Sequence, residues 1–171
     1  MPFVVAPAMH GSMYRHPRVR ENLARLEGWG IDVVPPRIEE GRAKIAGIEE
    51  IVLHAERAVM GRPLQGRRVL VTSGACREPL DDVRVLTTRS SGRMGRALAL
   101  QAYRLGAEVT VVHGDSFPAV ENVMAETAAE MAEQVLRRVE AGVDYYVSAA
   151  AVSDFAPERR EGKIESGRAV T

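Results

Sequence analysis

The run from Val69 to Leu98, VLVTSGACREPLDDVRVLTTRSSGRMGRAL, constrains this chain more than any other. Val69 to Thr72 read as a buried strand ending at Gly74, and after a long polar excursion the chain enters a helix through Ser90-Ser91-Gly92-Arg93-Met94-Gly95. A helix entered through small residues leaves backbone N–H groups with no intrahelical partner, and its dipole adds partial positive charge there. Such an end attracts an anion, phosphate above all. The plainer alternative for the same stretch is a strand, an ordinary surface loop and a capped helix.

Taken in order, Phe3-Val4-Val5 reads as a short strand. A chain that opens on a core strand with no preceding partner leads us to expect either further sequence upstream or a fold that starts abruptly. Pro7 to Pro17 reads as a loop, and Arg18 to Trp29 as an amphipathic helix. Ile31 to Val34 forms the next strand, IEEGRAKIAG is polar and irregular, and Ile48 to Val59 is a helix with Ile48, Ile51, Val52, Ala55 and Val59 toward the core. Strand, helix, strand, helix is the grammar of an α/β layer. Gly61 to Gly66, with two glycines and a proline, is the best domain boundary.

Beyond it, the helix from about Gly92 to Leu105 is expected to bury Met94, Leu98 and Ala102. Glu108 to Val112 and a weaker segment from Asn122 to Glu126 read as strands, and Ala128 to Glu140 as a helix with Met131, Val135 and Val139 inward. Asp144 to Ser148 is a further strand, which runs into the small residues Ala149, Ala150 and Ala151. Small residues there let a flat ligand approach the backbone, and in open parallel sheets ligands gather at that edge.

Composition narrows the function. Basic and acidic residues number 23 each, so no global field favours nucleic acid and any anion must be held locally. The single cysteine, Cys76, can form neither an internal disulfide nor a thiolate cluster, which fits a reducing compartment, the cytoplasm by default. Neither a signal peptide nor a membrane span is visible. His10 and His16, six apart in a loop, make a poor metal signature.

Three segments are expected to meet at the sheet edge: the loop from 73 to 92, the turn from 149 to 155, and Lys163 from the charged tail. Together they offer helix-end amides, hydroxyls on Ser90 and Ser91, cations at Arg84, Arg89, Arg93 and Lys163, and the carboxylate of Asp154. Cations and amides suit a polyphosphate, and a carboxylate beside them suits its Mg²⁺. Each has a duller account, in which Asp154 caps a turn, Lys163 is solvated, and the arginines pair with Asp81, Asp82 or Glu78. A dinucleotide fingerprint is absent, because Gly92 follows Gly74 by 18 residues and the glycines are spaced G-x-x-G. No P-loop is present either, and Cys76 has no histidine near it in sequence to act as base.

TSGACREPLDDVRVLTTRSSGRMG, GAEVTVVHG, SAAAVSDF and GKIES resemble, in order and spacing, the first half of phosphopantothenate-cysteine ligase domains. The preceding APAMHGSMY and HPRVRENLARLEGWGIDVVPP are similar to the end of the flavin-dependent phosphopantothenoylcysteine decarboxylase, to which that ligase is fused in the bifunctional family of coenzyme A biosynthesis. The resemblance implies an α/β fold: a three-layer Rossmann-like parallel sheet with helices on both faces, preceded by a short flavoprotein-like α/β remnant. It divides the chain into a decarboxylase remnant (1–60), a linker (61–67) and the first part of a ligase domain (68–171). The family's reaction uses CTP and Mg²⁺ to convert 4'-phosphopantothenate to an acyl-cytidylate, which the amine of cysteine attacks; FMN serves the decarboxylase.

By motif, the resemblance places Ser90, Ser91 and Gly92 at the CTP phosphates, Met94 and Gly95 also in the CTP-binding set, Ala150 and Phe155 near the cytosine, and Asp154 at the cation or nucleotide. Arg84 and Lys163 are implied to hold the acyl intermediate and the triphosphate charge, with Thr88 beside them as a third catalytic position. Met9 and His10 mark what is left of the flavin and substrate loop. Thr88 stands where the family usually has asparagine, Arg89 where it has His or Lys, and His10 where it has asparagine. The upstream flavin segment is absent and family ligases continue beyond Thr171, so neither full activity is expected of this stretch alone. The longer proteins are expected to be homo-oligomers, without nucleic-acid or membrane partners. Two rival readings are a non-catalytic nucleotide-binding module and an NAD(P)-dependent reductase.

Overall fold

A computed structural model describes residues 1–164. Val69, Leu70 and Val71 are apolar without alternation, the pattern of a strand covered on both faces. They lie in β5 (Arg68–Thr72), which sits inside a four-stranded parallel sheet. Its neighbours are β8 (Glu108–His113) and β10 (Tyr145–Ser148), and β9 (Glu121–Met124) pairs outside β8, giving the order β10-β5-β8-β9. Val69 and Val71 face the helix α4 (Arg93–Arg104), burying Ala99, Leu100 and Tyr103. Leu70 faces the other way, toward Cys76, Val112 and Met131 of the helix α5 (Ala128–Glu140). Helices therefore cover both faces, as the motif order implied.

The first sixty residues build a smaller layer. Strands β1 (Val4–Val5) and β2 (Asp32–Val33) pair in parallel around the helix α2 (Pro17–Gly28). Helix α3 (Ile48–Val59) follows and packs on α4. Leu53 of α3 joins the core formed by Val69, Val71 and Leu100, so the smaller layer shares the interior of the sheet. Charged groups line the same seam. Arg96 meets Glu49 at 2.5 Å and Arg104 meets Glu56 at 2.6 Å. Arg57 donates to the carbonyls of Tyr103, Gly106 and Ala107 at the end of α4 and lies over the Tyr103 ring. Burial draws its guanidinium below the usual arginine range.

Several expectations are corrected. The stretch read as irregular is the hairpin of β3 (Arg37–Glu39) and β4 (Arg42–Lys44), turned by Glu40 and Gly41 at positive φ. The loop after Pro7 contains a one-turn helix, α1 (Gly11–Tyr14). The excursion after Gly74 contains a second hairpin, β6 (Arg77–Pro79) and β7 (Val85–Thr87). On α3 the inward residues are Leu53 and His54, whereas Ile48, Val52 and Val59 are exposed. On α4 they are Gly95, Ala99, Leu100 and Tyr103, whereas Met94 and Leu98 face out; on α5 Val139 is also exposed.

His113 makes stability depend on pH. Its imidazole is buried against Phe117; Nδ1 accepts the Asp115 amide at 2.7 Å, and Nε2 lies 2.8 Å from Asn122 Oδ1. Burial lowers its pKa from the ordinary 6.5. The unfolded chain therefore binds a proton that the folded one refuses, and stability rises with pH through that window. It is complete above about pH 6.5 and falls as the pH drops toward the lowered folded value. Melting temperatures between pH 7.5 and 5.5 are expected to fall, with a flatter profile for His113→Gln.

Candidate functional site

The site grows out of the C-terminal ends of β5 and β10. After Thr72 the chain passes through Ser73, which is fully buried, and Gly74 at φ +86°. Ser73 Oγ donates to the Gly92 carbonyl at 3.1 Å, pulling the start of α4 onto the strand end. Glycine is required twice there. A Cβ on Gly95 would stand 2.3 Å from Ser73 Oγ and 3.0 Å from Ser73 Cα. One on Gly92, itself at φ +66°, would stand 3.1 Å from Gly74 Cα. Gly92 is the N-cap of α4 and supplies no capping side chain, so the first-turn amides are left for solvent or an anion. Ser90 Oγ accepts from the Gly92 amide at 3.4 Å, and Ser91 Oγ accepts from Arg93 Nε at 3.1 Å.

The small-residue turn after β10 is stitched to the same edge. Thr72 Oγ1 accepts from the amides of Ala149 at 3.2 Å and Ala150 at 3.4 Å. Ala151 donates to the Gly74 carbonyl at 2.9 Å, and Cys76 donates to the Ala151 carbonyl at 3.2 Å. Gly74, Gly92 and Ala150 thus gather around one strand end, as expected of a ligand-binding sheet edge. Cys76 is a packing residue: its thiol is fully buried, and that burial pushes its pKa up.

Beyond the turn, Asp154 and Phe155 line a cleft of about 480 Å³ together with Leu80, Leu86, Arg160 and Ile164. Phe155 is exposed along its rim, and Ser153 Oγ accepts from the Phe155 amide at 3.1 Å. Arg84 sits on the turn between β6 and β7, where its Nη1 donates to Asp81 at 3.2 Å and to the Ile164 carbonyl at 3.0 Å. Lys163 immediately precedes Ile164, so Arg84 and Lys163 belong to neighbouring backbone. Thr88 Oγ1 is buried without a hydrogen-bond partner.

Two groups therefore form around the β6–β7 hairpin: the Ser90–Gly95 turn with Ala150, and the cleft of Asp154 and Phe155 with Arg84 and Lys163 near it. Among the described residues no hydrogen bond or ion pair joins Ser90, Ser91, Gly92 or Gly95 to Asp154 or Lys163. Met94 is exposed on the outer side of α4. Met9 and His10 lie apart, in the smaller layer. Met9 exchanges backbone bonds with Ala43 at 2.9 and 3.1 Å, and His10 caps α1 as His16 caps α2.

Sequence reasoning underrated two carboxylates here. Asp81 is buried yet ionised, its pKa lowered first by the Ile164 amide and further by those of Val83 and Arg84. Glu78 is buried as well and accepts from the Ala128 amide at 2.7 Å, supporting the start of α5. A signal for Asp81 was present, since an aspartate just before a tight turn commonly accepts the amide two residues on.

Comparison with known proteins agrees with this architecture. Residues 64–169 match the family described as DNA/pantothenate metabolism flavoprotein C-terminal domain, and residues 1–60 match the family described as Flavoprotein. The chain is 46% identical over 172 residues to the Coenzyme A biosynthesis bifunctional protein CoaBC of Thermococcus kodakarensis, covering 98% of this chain and 43% of that protein. Against the protein of the same name from Mycobacterium tuberculosis it is 36% identical over 183 residues, covering 97% of this chain and 44% of the relative. A solved C-terminal domain of a CoaBC protein superposes with a TM-score of 0.51 at 41% identity, over 58% of this chain and 50% of that one. The chain thus spans less than half the length of these curated relatives. On its match over residues 64–169, the chain belongs to the family described as DNA/pantothenate metabolism flavoprotein C-terminal domain.

Proposed function

We propose that the chain carries the nucleotide-activating part of a CTP-dependent phosphopantothenate-cysteine ligase in coenzyme A biosynthesis. In this reading residues 1–60 are the end of a decarboxylase segment, 61–67 a linker, and 68–171 the first part of the ligase domain. The observation that carries it is the α4 start, pressed by two obligatory glycines onto the end of β5 beside the 149–151 turn. That packing fixes a set of amides at the sheet edge before any ligand arrives, which is electrostatic preorganisation for phosphate.

The amides from Gly92 to Gly95 and the hydroxyls of Ser90 and Ser91 would take the CTP phosphates, with Ala150 and Phe155 on the cytosine side. The carboxylate of 4'-phosphopantothenate attacks the α-phosphorus and pyrophosphate leaves; the cysteine amine then attacks the acyl-cytidylate carbonyl and CMP departs. Lys163 would balance charge on the departing pyrophosphate, Arg84 would hold the acyl intermediate with the side of its fork away from Asp81, and Thr88 would offer its unpartnered hydroxyl. Mg²⁺ commonly binds through one carboxylate and the substrate's own phosphates, so the lone Asp154 is an adequate donor set and the ion would supply charge neutralisation. The residues offered for FMN fit less well, because Met9 is committed to Ala43 and the His10 ring to capping, so no flavin chemistry is assigned to them.

Substrates of this kind need neither nucleic acid nor a membrane, and a homo-oligomer is expected of the longer family proteins. No helix among the described residues is long and apolar enough to cross a membrane.

Titration of the chain with CTP and with NADPH, each with Mg²⁺, followed by a pyrophosphate assay with 4'-phosphopantothenate and cysteine, tests the reading. CTP-selective binding with pyrophosphate release is expected, with turnover below that of full-length relatives. Binding without release indicates a nucleotide-binding module, and preference for NADPH a reductase; either overturns the ligase assignment.

A further inference from the structure

The charged side chain with the lowest exposure near the site is one the proposed chemistry does not use. Asp81 has a side chain with 0% exposure. Its Oδ1 accepts the amides of Val83 at 2.7 Å and Arg84 at 2.6 Å, which closes the turn that carries Arg84. Its Oδ2 accepts Arg84 Nη1 at 3.2 Å and the Ile164 amide at 3.0 Å, reaching a residue far along the chain. The adjacent Asp82 repeats the arrangement outside: Oδ1 accepts Arg159 Nη2 at 2.9 Å and Oδ2 accepts the Gly162 amide at 3.0 Å. The Arg160 amide adds a bond of 3.1 Å to the Leu80 carbonyl. Lys163 is therefore flanked on both sides by residues whose amides end on this carboxylate pair.

We propose that Asp81, assisted by Asp82, is a positioning residue that clasps the 159–164 segment to the β6–β7 turn, holding Lys163, on the triphosphate side, and Arg84, on the acyl side, at a fixed separation. The inference rests on the ligase reading above and extends it to a residue that touches no substrate. A buried carboxylate bound by four donors costs much to desolvate and is kept ionised by those donors. The same negative charge sits behind Arg84 and orients its guanidinium through one nitrogen, leaving the rest of the fork for an anion. Both oxygens of Asp81 are used, but for different jobs, which makes the two jobs separable by substitution.

Asp81→Asn keeps one oxygen. The two shorter bonds, to Val83 and Arg84, retain it, so the amide NH₂ must face the Ile164 N–H and Arg84 Nη1, donor against donor. The variant is expected to preserve the turn and release the tail. In the full chain, amide exchange at Ile164 should accelerate while amides of β5 and α4 keep their protection. CTP affinity with Mg²⁺ should fall about tenfold, the size of one lost charge-assisted bond. Asp82→Asn, which alters only the bonds to Arg159 and Gly162, should accelerate Gly162 exchange and weaken CTP less.

Unchanged exchange at Ile164 in Asp81→Asn overturns the clasp. Faster exchange with unaltered CTP affinity overturns the positioning role. A wild-type chain that takes up no CTP instead removes the ligase reading, and is told apart because the exchange experiment needs no nucleotide. Loss of protection in β5 as well would mean general unfolding, in which case Asp82→Asn decides by the same two measurements.

Discussion

Gly95→Ala is expected to lower the free energy of unfolding by about 2 kcal/mol, although alanine is the better helix former by about 1 kcal/mol. The new methyl would lie 2.3 Å from Ser73 Oγ and 2.5 Å from Ser73 Cβ. Ser73 cannot yield cheaply, because it is fully buried and its hydroxyl is bonded to the Gly92 carbonyl. Relief has to come from α4 moving off the strand, which carries the first-turn amides out of place. Urea unfolding should show the loss of stability, and CTP titration a loss of binding beyond it. Gly28→Ala is the matched control, with nothing within 4 Å of the added carbon, and is expected to be neutral or stabilising. Equal stabilities for Gly95→Ala and wild type would show that the close packing at Ser73 is not obligatory.

Leu53→Ala is expected to be more costly, about 3 kcal/mol, since Leu53 is 1% exposed and its removal leaves a cavity among Val69, Val71, Leu100 and Tyr103. Leu53 comes from the first sixty residues, yet the core it joins belongs to α4, β5 and β8. Loss of stability should therefore appear in both segments together, as faster exchange of β5 amides as well as those of α3. Faster exchange confined to α3 would mean that the two segments unfold separately. The ion pairs Glu49–Arg96 and Glu56–Arg104 reinforce the seam only modestly, because they are partly exposed to water.

The sequence made the elements of the large sheet readable because each carried its own local signal. Ala128 to Glu140 and Ile48 to Val59 read correctly as helices from their spacing, and α5 begins at a Thr127–Glu130 capping box. The hairpins were missed since strands of three residues, such as RIE and RAK, are too short and polar to show a period. Helix faces failed for a different reason. Large apolar side chains marked the expected inner sides, but α4 meets β5 through Gly95 and Ala99, whose value is that they take up little room. On α3, His54 and Arg57 turn inward because each has a partner, Asp32 for the imidazole and three carbonyls for the guanidinium. Burial of a polar group depends on what waits for it across the seam, and no local pattern records that.

The same limit governed the candidate site. Ser90 to Gly95 and the 149–151 turn were legible because glycine and alanine at strand ends have a backbone meaning in themselves. The pairing of Arg84 with Asp81 stood only as one of several alternatives, since the decisive Ile164 amide is 83 residues away.

Arg57 bears on how α4 presents itself electrically. A helix of twelve residues is about 18 Å long and ends in opposite poles, positive at Gly92 and negative at its final carbonyls. By donating to the Tyr103 carbonyl, and to those of Gly106 and Ala107 just past the helix, Arg57 of the first sixty residues sets a positive charge against the negative pole. A segment that contributes no atom to the Ser90–Gly95 turn thereby shapes the electrostatics of the helix that begins there.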